Sequence, residues 1–175
     1  MKNLFSVKGK VALVTGGSRG IGEMIAAGYL ANGAKVYISS RKAETCDATA
    51  ERLSKEYEGN CISIPADLSN LDGIAALVSK IKEDEGSLDI LVNNAGASWG
   101  EPIEEYSEKG WDKVMDTNVK GVFFLTQKLL PLLKVSGNAE DPARVINIGS
   151  IDGIKTGLFD AFSYGPSKAA LHHLT

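Results

Sequence analysis

Short runs of aliphatic and β-branched residues alternate along the chain with longer stretches whose apolar positions recur every three or four residues. The short runs at residues 10–15 (KVALVT), 35–39 (KVYIS), 61–65 (CISIP), 88–93 (LDILVN) and 144–149 (RVINIG) predict five strands. Helical periodicity fills the intervals: residues 21–32, with Gly33 placed to end the helix, then 43–57, 67–85, 103–115 and 119–133. A further helix is expected from residue 161. Strands that alternate with helices imply parallel pairing through right-handed crossovers, hence an α/β doubly wound parallel sheet with the expected strand order 3-2-1-4-5. Only residues 136–142 (SGNAEDP) read as a turn-rich insert, and no linker or repeat divides the chain. A single domain over residues 1–175 is expected. Apolar positions still recur at Ala169, Leu171, His172 and Leu174 with no stop signal, so the chain is expected to be cut inside an element.

Composition narrows the classes. At 175 residues, 43% hydrophobic and 23% charged, the chain can bury one core, which excludes disordered and fibrous proteins. A net charge of -3 without any basic cluster removes the footprint of a nucleic-acid binder, so small-molecule or protein partners are expected. Cys46 and Cys61 match no zinc or redox spacing, so neither a metal nor a disulfide framework is expected. No run approaches the roughly 18 apolar residues of a membrane span, and the first ten residues lack the apolar stretch of a signal peptide. A cytoplasmic protein without membrane contact is the expectation.

Glycine is enriched, at 19 residues, and its placement carries chemistry. The first strand runs into Thr15-Gly16-Gly17-Ser18-Arg19-Gly20-Ile21-Gly22 and then a helix. Such a loop aims backbone N–H groups and the positive helix end at a phosphate, and the absence of Cβ at Gly16, Gly20 and Gly22 lets a pyrophosphate approach. An acidic residue after the second strand would hold the ribose 2'-hydroxyl of NAD; the sequence there reads Ser39-Ser40-Arg41-Lys42. Arg41, with Arg19 from the loop, suits a 2'-phosphate and so NADP, although Arg41 and Lys42 equally fit a solvated helix start. Asp67 after the third strand suits either an adenine amino group or a helix N-cap. Asn93-Asn94-Ala95-Gly96 ends the fourth strand at the carboxyl edge, where doubly wound sheets bind ligands.

Asn118, Ser150 past the fifth strand, and Tyr164 with Lys168 four residues later complete the candidates. A helix stacks Tyr164 and Lys168 on one face. Ketone reduction by hydride develops negative charge on oxygen, so a donor must deliver a proton while other groups hold the oxyanion. A tyrosine hydroxyl is a weak base at neutral pH, and a neighbouring ammonium favours its phenolate. Ser150 is placed to hydrogen-bond the carbonyl, and Asn118 to position a water that passes protons from Lys168 to solvent. His172, His173, Trp99, Phe123 and Phe124 read as packing or surface residues.

In this order, TGGSRGIG, Asp67-Leu68, NNAG, Asn118-Val119-Lys120-Gly121, NIGS and Tyr164-Gly165-Pro166-Ser167-Lys168 strongly resemble the short-chain dehydrogenase/reductase family along essentially the whole chain. The resemblance implies a Rossmann-like fold that stops short of the family's C-terminus. It implies Asn118, Ser150, Tyr164 and Lys168 as catalytic residues, with Tyr164 as general acid/base. Cofactor contacts are implied at Gly16, Ser18, Arg19, Gly20, Ile21, Gly22, Arg41, Asp67, Leu68, Asn94, Ala95, Gly96, Tyr164 and Lys168. It further implies an NADP(H)-dependent reductase of a 3-oxoacyl thioester or similar ketone, assembling as a homodimer or homotetramer. Pro131 stands where an acyl-carrier-docking arginine would be, which leaves the thioester's carrier open. Two alternatives remain beside it, a non-catalytic NADP-binding sensor or scaffold and an inactive truncated fragment.

Overall fold

The computed structural model describes residues 5–157 and 159–175. Five parallel strands, β1 (Val11–Thr15), β2 (Lys35–Ser39), β3 (Cys61–Ser63), β4 (Ile90–Asn93) and β5 (Arg144–Asn147), form one sheet in the order β3-β2-β1-β4-β5. The expected order therefore holds, and β2 has the expected bounds. The central register pairs Leu13 with Tyr37 on one side and Leu91 on the other, and Val14 with Ile38 and Val92.

Helices cover both faces: α1 (Gly20–Ala31), α2 (Ala43–Glu56), α3 (Leu71–Asp84), α4 (Glu108–Met115), α5 (Gly121–Ser136) and α6 (Tyr164–His173). Because side chains alternate along a strand, Ala12 and Val14 join Val36, Ile38, Ala26, Leu30 and Leu53 in one core, while Leu13 joins Tyr37, Leu91, Leu77 and Leu129 in the other. Strands buried on both faces read as continuous apolar runs, which is why they are visible in the sequence. At the amino-terminal edge of the sheet the Lys10 ammonium bridges Asp89 at 2.9 Å and Asp141 at 2.7 Å, tying the turn-rich insert to β1 and β4. β5 pairs only with β4 among the described residues, and its Val145 and Ile146 are 39% and 38% exposed.

Three local expectations change. Helical pattern over residues 103–115 resolves into a 3-10 turn, Ile103–Glu105, and a separate α4, because Ser107 caps a new start by accepting from Gly110 N–H. α4 and α5 do not separate where the sequence divides them. A π-helical turn, Asp116–Lys120, joins them into one rod and places Asn118 at its centre. Finally, Asn70 caps α3, accepting from Gly73 N–H at 2.8 Å, while Asp67 accepts from the Ser69 amide and hydroxyl. Asp67 is thus not the cap, and its carboxylate closes a local turn.

Candidate active site

The strand order reverses between β1 and β4, the switch point where such sheets bind ligands beyond their carboxyl ends. Thr15 and Asn94 fasten the two loops there. The Thr15 hydroxyl donates to the Val92 carbonyl and accepts from the Asn94 and Ala95 amides, each at 3.0 Å, and the Asn94 side-chain amide donates to the Thr15 carbonyl at 2.9 Å. Two glycines make this approach feasible. Gly16 has φ +65°, and a Cβ on it would stand 2.8 Å from Asn94 Nδ2; a Cβ on Gly22 would collide with the Gly16 carbonyl oxygen.

Beyond these loops opens a cleft of about 490 Å³, and its lining includes Gly16, Ser18, Arg19, Gly20, Ile21, Gly22, Arg41, Asp67, Leu68, Asn94, Ala95 and Gly96. All the expected cofactor positions outside α6 therefore converge on one cavity. Ser39, Ser40, Thr45, Ala97 and Thr117 also line it and were not singled out in the sequence. Only their adjacency to the motifs could have signalled them. Unlike α3 and α4, α1 has no side-chain cap at Arg19, so its first N–H groups face the cleft without a protein side-chain acceptor. The buried hydroxyl oxygens of Ser39 and Ser40 lack hydrogen-bond partners, and exposed Arg19, Arg41 and Lys42 form no ion pair among the described residues. An uncapped helix end, orphaned hydroxyls and free cations together fit a phosphate-bearing dinucleotide.

Lys168 lies beside the cleft, its ammonium 3.9 Å from the place a Cβ on Gly96 would take. Lys168 is only 5% exposed; its ammonium donates to the Ile148 carbonyl at 2.7 Å and lies 5.8 Å from the centre of the Tyr164 ring. Burial lowers its pKa below the ordinary lysine value of 10.5. The helical spacing of Tyr164 and Lys168 sets this pairing locally, but the Ile148 carbonyl comes from the end of β5. Ser150 follows two residues later, where its hydroxyl accepts from the Asp152 amide at 3.2 Å and keeps its own proton available to a ligand.

The Asn118 side chain is fully buried and makes three hydrogen bonds. Its oxygen accepts from Ala97 N–H at 2.8 Å, and its nitrogen donates to the Ala97 carbonyl and the Ser167 hydroxyl, both at 2.9 Å. This side chain clamps the loop after β4 to α6 through both of its amide hydrogens and one lone pair of its oxygen. His172 also does more than its sequence context indicates: its Nε2 accepts from the Ser150 amide at 3.4 Å, and its ring sits against Gly149 and Gly153. Trp99 packs its ring on Gly110 with the Lys113 ammonium 4.6 Å from the ring centre, while Phe123 meets Phe124 edge-to-face.

The family model described as short chain dehydrogenase matches residues 10–175. The chain belongs to the short-chain dehydrogenase family. It is 56% identical over 175 residues to a rhamnolipids biosynthesis 3-oxoacyl-[acyl-carrier-protein] reductase of Pseudomonas aeruginosa, covering 100% of this chain and 68% of that protein. It is 37% identical over 176 residues to a gluconate 5-dehydrogenase of Gluconobacter oxydans, covering 99% and 65%. Among solved structures, the Pseudomonas aeruginosa RhlG/NADP active-site complex superposes with a TM-score of 0.94 at 57% identity, covering 99% of this chain and 67% of that one. The L-sorbose reductase of Gluconobacter frateurii complexed with NADPH and L-sorbose gives 0.88 at 29%, covering 95% and 62%. The chain thus spans about two thirds of the length of these relatives. No helix among the described residues is long and apolar enough to cross a membrane.

Proposed function

We propose that this short-chain dehydrogenase is an NADP(H)-dependent reductase of a ketone, with a 3-oxoacyl thioester as substrate. The observation that carries this reading is the buried Lys168 ammonium held between the Ile148 carbonyl and the Tyr164 ring, beside a cleft built for a phosphate-bearing dinucleotide. The relatives named as a 3-oxoacyl reductase and as complexes with NADP or NADPH support the substrate class and the cofactor.

In the reaction so assigned, the backbone at Gly16 to Gly22 and the α1 N-terminus hold the pyrophosphate. Arg41 with Arg19 would hold the 2'-phosphate, and Asp67 with Leu68 would border the adenine. Asn94, Ala95 and Gly96 would border the nicotinamide end, and Tyr164 and Lys168 would hold its ribose. Bound there, the nicotinamide supplies a hydride to the carbonyl carbon. Ser150 donates a hydrogen bond to the carbonyl oxygen, and Tyr164 delivers its hydroxyl proton to that oxygen as the C–H bond forms. The positive charge of Lys168 stabilises the phenolate that results, at a distance where the low dielectric of the site strengthens the attraction. Asn118 keeps α6 and the loop after β4 in register for this transfer.

The same proposal includes a homodimer or homotetramer, supported by the exposed apolar residues Trp111, Phe123 and Leu130 along α4 and α5. It also includes a cytoplasmic location, in keeping with the free, buried Cys46 and Cys61. NADPH consumption with a short 3-oxoacyl thioester tests the reading, run beside NADH and a Tyr164→Phe variant, on this chain and on a version extended to the relatives' length. Turnover that prefers NADPH and vanishes in Tyr164→Phe is expected. NADPH binding without turnover in either version would instead favour another ketone or a cofactor-sensing role.

A further inference from the structure

Proton delivery from Tyr164 requires its helix to start at a fixed place, and the residue before it is held in an unusual way. Ser163 occupies the N-cap position of α6 but makes no side-chain cap bond, the ordinary use of a serine there. Its hydroxyl, fully buried, instead lies 2.6 Å from the Tyr106 hydroxyl, and its amide donates to the same oxygen at 3.4 Å. Tyr106 Oη also donates to the Trp99 carbonyl at 3.1 Å. A phenol has one proton, so the consistent arrangement has Tyr106 donating to Trp99 and accepting from Ser163. The Tyr106 ring stacks edge-to-face on Phe162, with centroids 5.6 Å apart at 81°.

We propose that Tyr106 is a positioning residue that sets Tyr164 against the loop following β4. Two loops meet at its hydroxyl. Trp99 lies three residues past Gly96, which borders the cleft, and Ser163 immediately precedes the catalytic tyrosine. Asn118 clamps the same loop to α6 at Ser167, one turn further along the helix. Two fastenings a turn apart hold the first turn of α6 to this loop, while Lys168 and His172 hold its later turns to the segment after β5. Loss of the Tyr106 hydroxyl therefore frees the end that carries Tyr164 while leaving the phosphate-binding end of the cleft untouched.

This inference rests on the reductase reading, and its test separates the two. Tyr106→Phe, Ser163→Ala and the double variant are compared with wild type for turnover of NADPH and a short 3-oxoacyl thioester, and for amide exchange over residues 161–168 in the NADPH-bound protein. Tyr106→Phe, which removes all three contacts, is expected to lower kcat about tenfold and Ser163→Ala, which leaves the Trp99 and Ser163 amide contacts of Tyr106, by less, with KM for NADPH changing by less than about twofold in each, and the double variant is expected to match Tyr106→Phe. Ser163→Thr, which keeps a hydroxyl, should restore most of the rate. Exchange at residues 161–168 should rise in Tyr106→Phe, less in Ser163→Ala, and no further in the double than in Tyr106→Phe. Multiplying losses, a parallel rise in KM for NADPH, or unchanged kcat would overturn the proposal. If wild type extended to the relatives' length shows no turnover of the 3-oxoacyl thioester, the substrate reading fails, and the exchange pattern alone decides the tether: unchanged exchange refutes it.

Discussion

Replacing Asn118 by alanine is the most informative single change, because three hydrogen bonds of known length disappear from a fully buried side chain. The partners do not suffer equally. Ser167 keeps its bond to the Tyr164 carbonyl at 2.7 Å, whereas the Ala97 amide and carbonyl lose the partner that holds them. An orphaned buried polar group costs about 1–3 kcal/mol, but Ala97 is only half-buried, so water entering the vacated space recovers part of that cost. The expected loss is therefore about 2 kcal/mol, which for a chain of this size lowers Tm by about 4–8 °C. Ser167→Ala leaves the Ala97 pair intact but removes the bond to the Tyr164 carbonyl and leaves a buried Asn118 amide hydrogen unpaired, so its loss should be of similar size, about 1–3 kcal/mol. Thermal unfolding by circular dichroism measures both, and NADPH turnover should fall more than stability does, because the clamp sets α6 against the loop lining the cleft. A Tm for Asn118→Ala within about 1 °C of wild type would show that these bonds are replaced without cost, and the clamp argument would fail.

Other outcomes follow from separate parts of the molecule. Arg41→Ala should weaken NADPH binding about tenfold and leave NADH binding unchanged, measured by fluorescence titration; equal loss for both cofactors would remove Arg41 from 2'-phosphate recognition. In Gly153→Ala the new Cβ would stand 2.8 Å from the Lys168 carbonyl carbon and 2.9 Å from the Ala169 nitrogen, backbone atoms that cannot yield separately. Overpacking of about 1–3 kcal/mol and a marked loss of kcat are expected, while Gly28→Ala, with open space around its Cβ, should stabilise α1 by about 0.5–1 kcal/mol; differential scanning calorimetry distinguishes the two. At the amino-terminal edge, burial raises the Asp89 pKa, but the Ser136 hydroxyl, the Val11 amide and Lys10 outweigh it and hold the carboxyl below its ordinary 3.8; hydrogen bonds from Lys10 and Arg144 lower Asp141 as well. Carboxyls depressed in the folded state stabilise it above the ordinary value and lose that contribution as pH falls through their lowered pKa values. Lys10→Met should therefore shrink the stability difference between pH 7 and pH 3, read from urea midpoints; an unchanged difference would remove this cluster from acid unfolding.

Much of the fold is legible in the sequence because its strands are buried on both faces and are punctuated by glycine. The bounds of β2 follow from residues 35–39, and the sheet order from the alternation of elements together with the glycine loop that marks a dinucleotide-binding half. The cleft was equally legible, since a loop between strand and helix is a local device: Gly16, Gly20 and Gly22 stand within seven residues of one another. What escaped was the join of α4 to α5, since a π turn differs from an ordinary helical turn by one residue of register that apolar spacing does not mark. The choice of Asn70 over Asp67 as the cap of α3 is not legible, since Asn and Asp are equally good N-cap residues and both stand before the helical pattern.

By itself the sequence determined which elements form, their order in the sheet, and the types of residue available for chemistry. These depend on periodicity, caps and loops, which act over a few residues. Tertiary structure decided what the polar residues do. Asn118 reaches Ala97 and Ser167 across 21 and 49 positions, Lys168 finds the Ile148 carbonyl across 20, and Tyr106 meets Ser163 across 57. No local preference specifies such partners. They are selected because packing α4 to α6 against the sheet excludes water from these groups, and a buried polar group without water must find its partner in whatever part of the chain the fold has brought beside it.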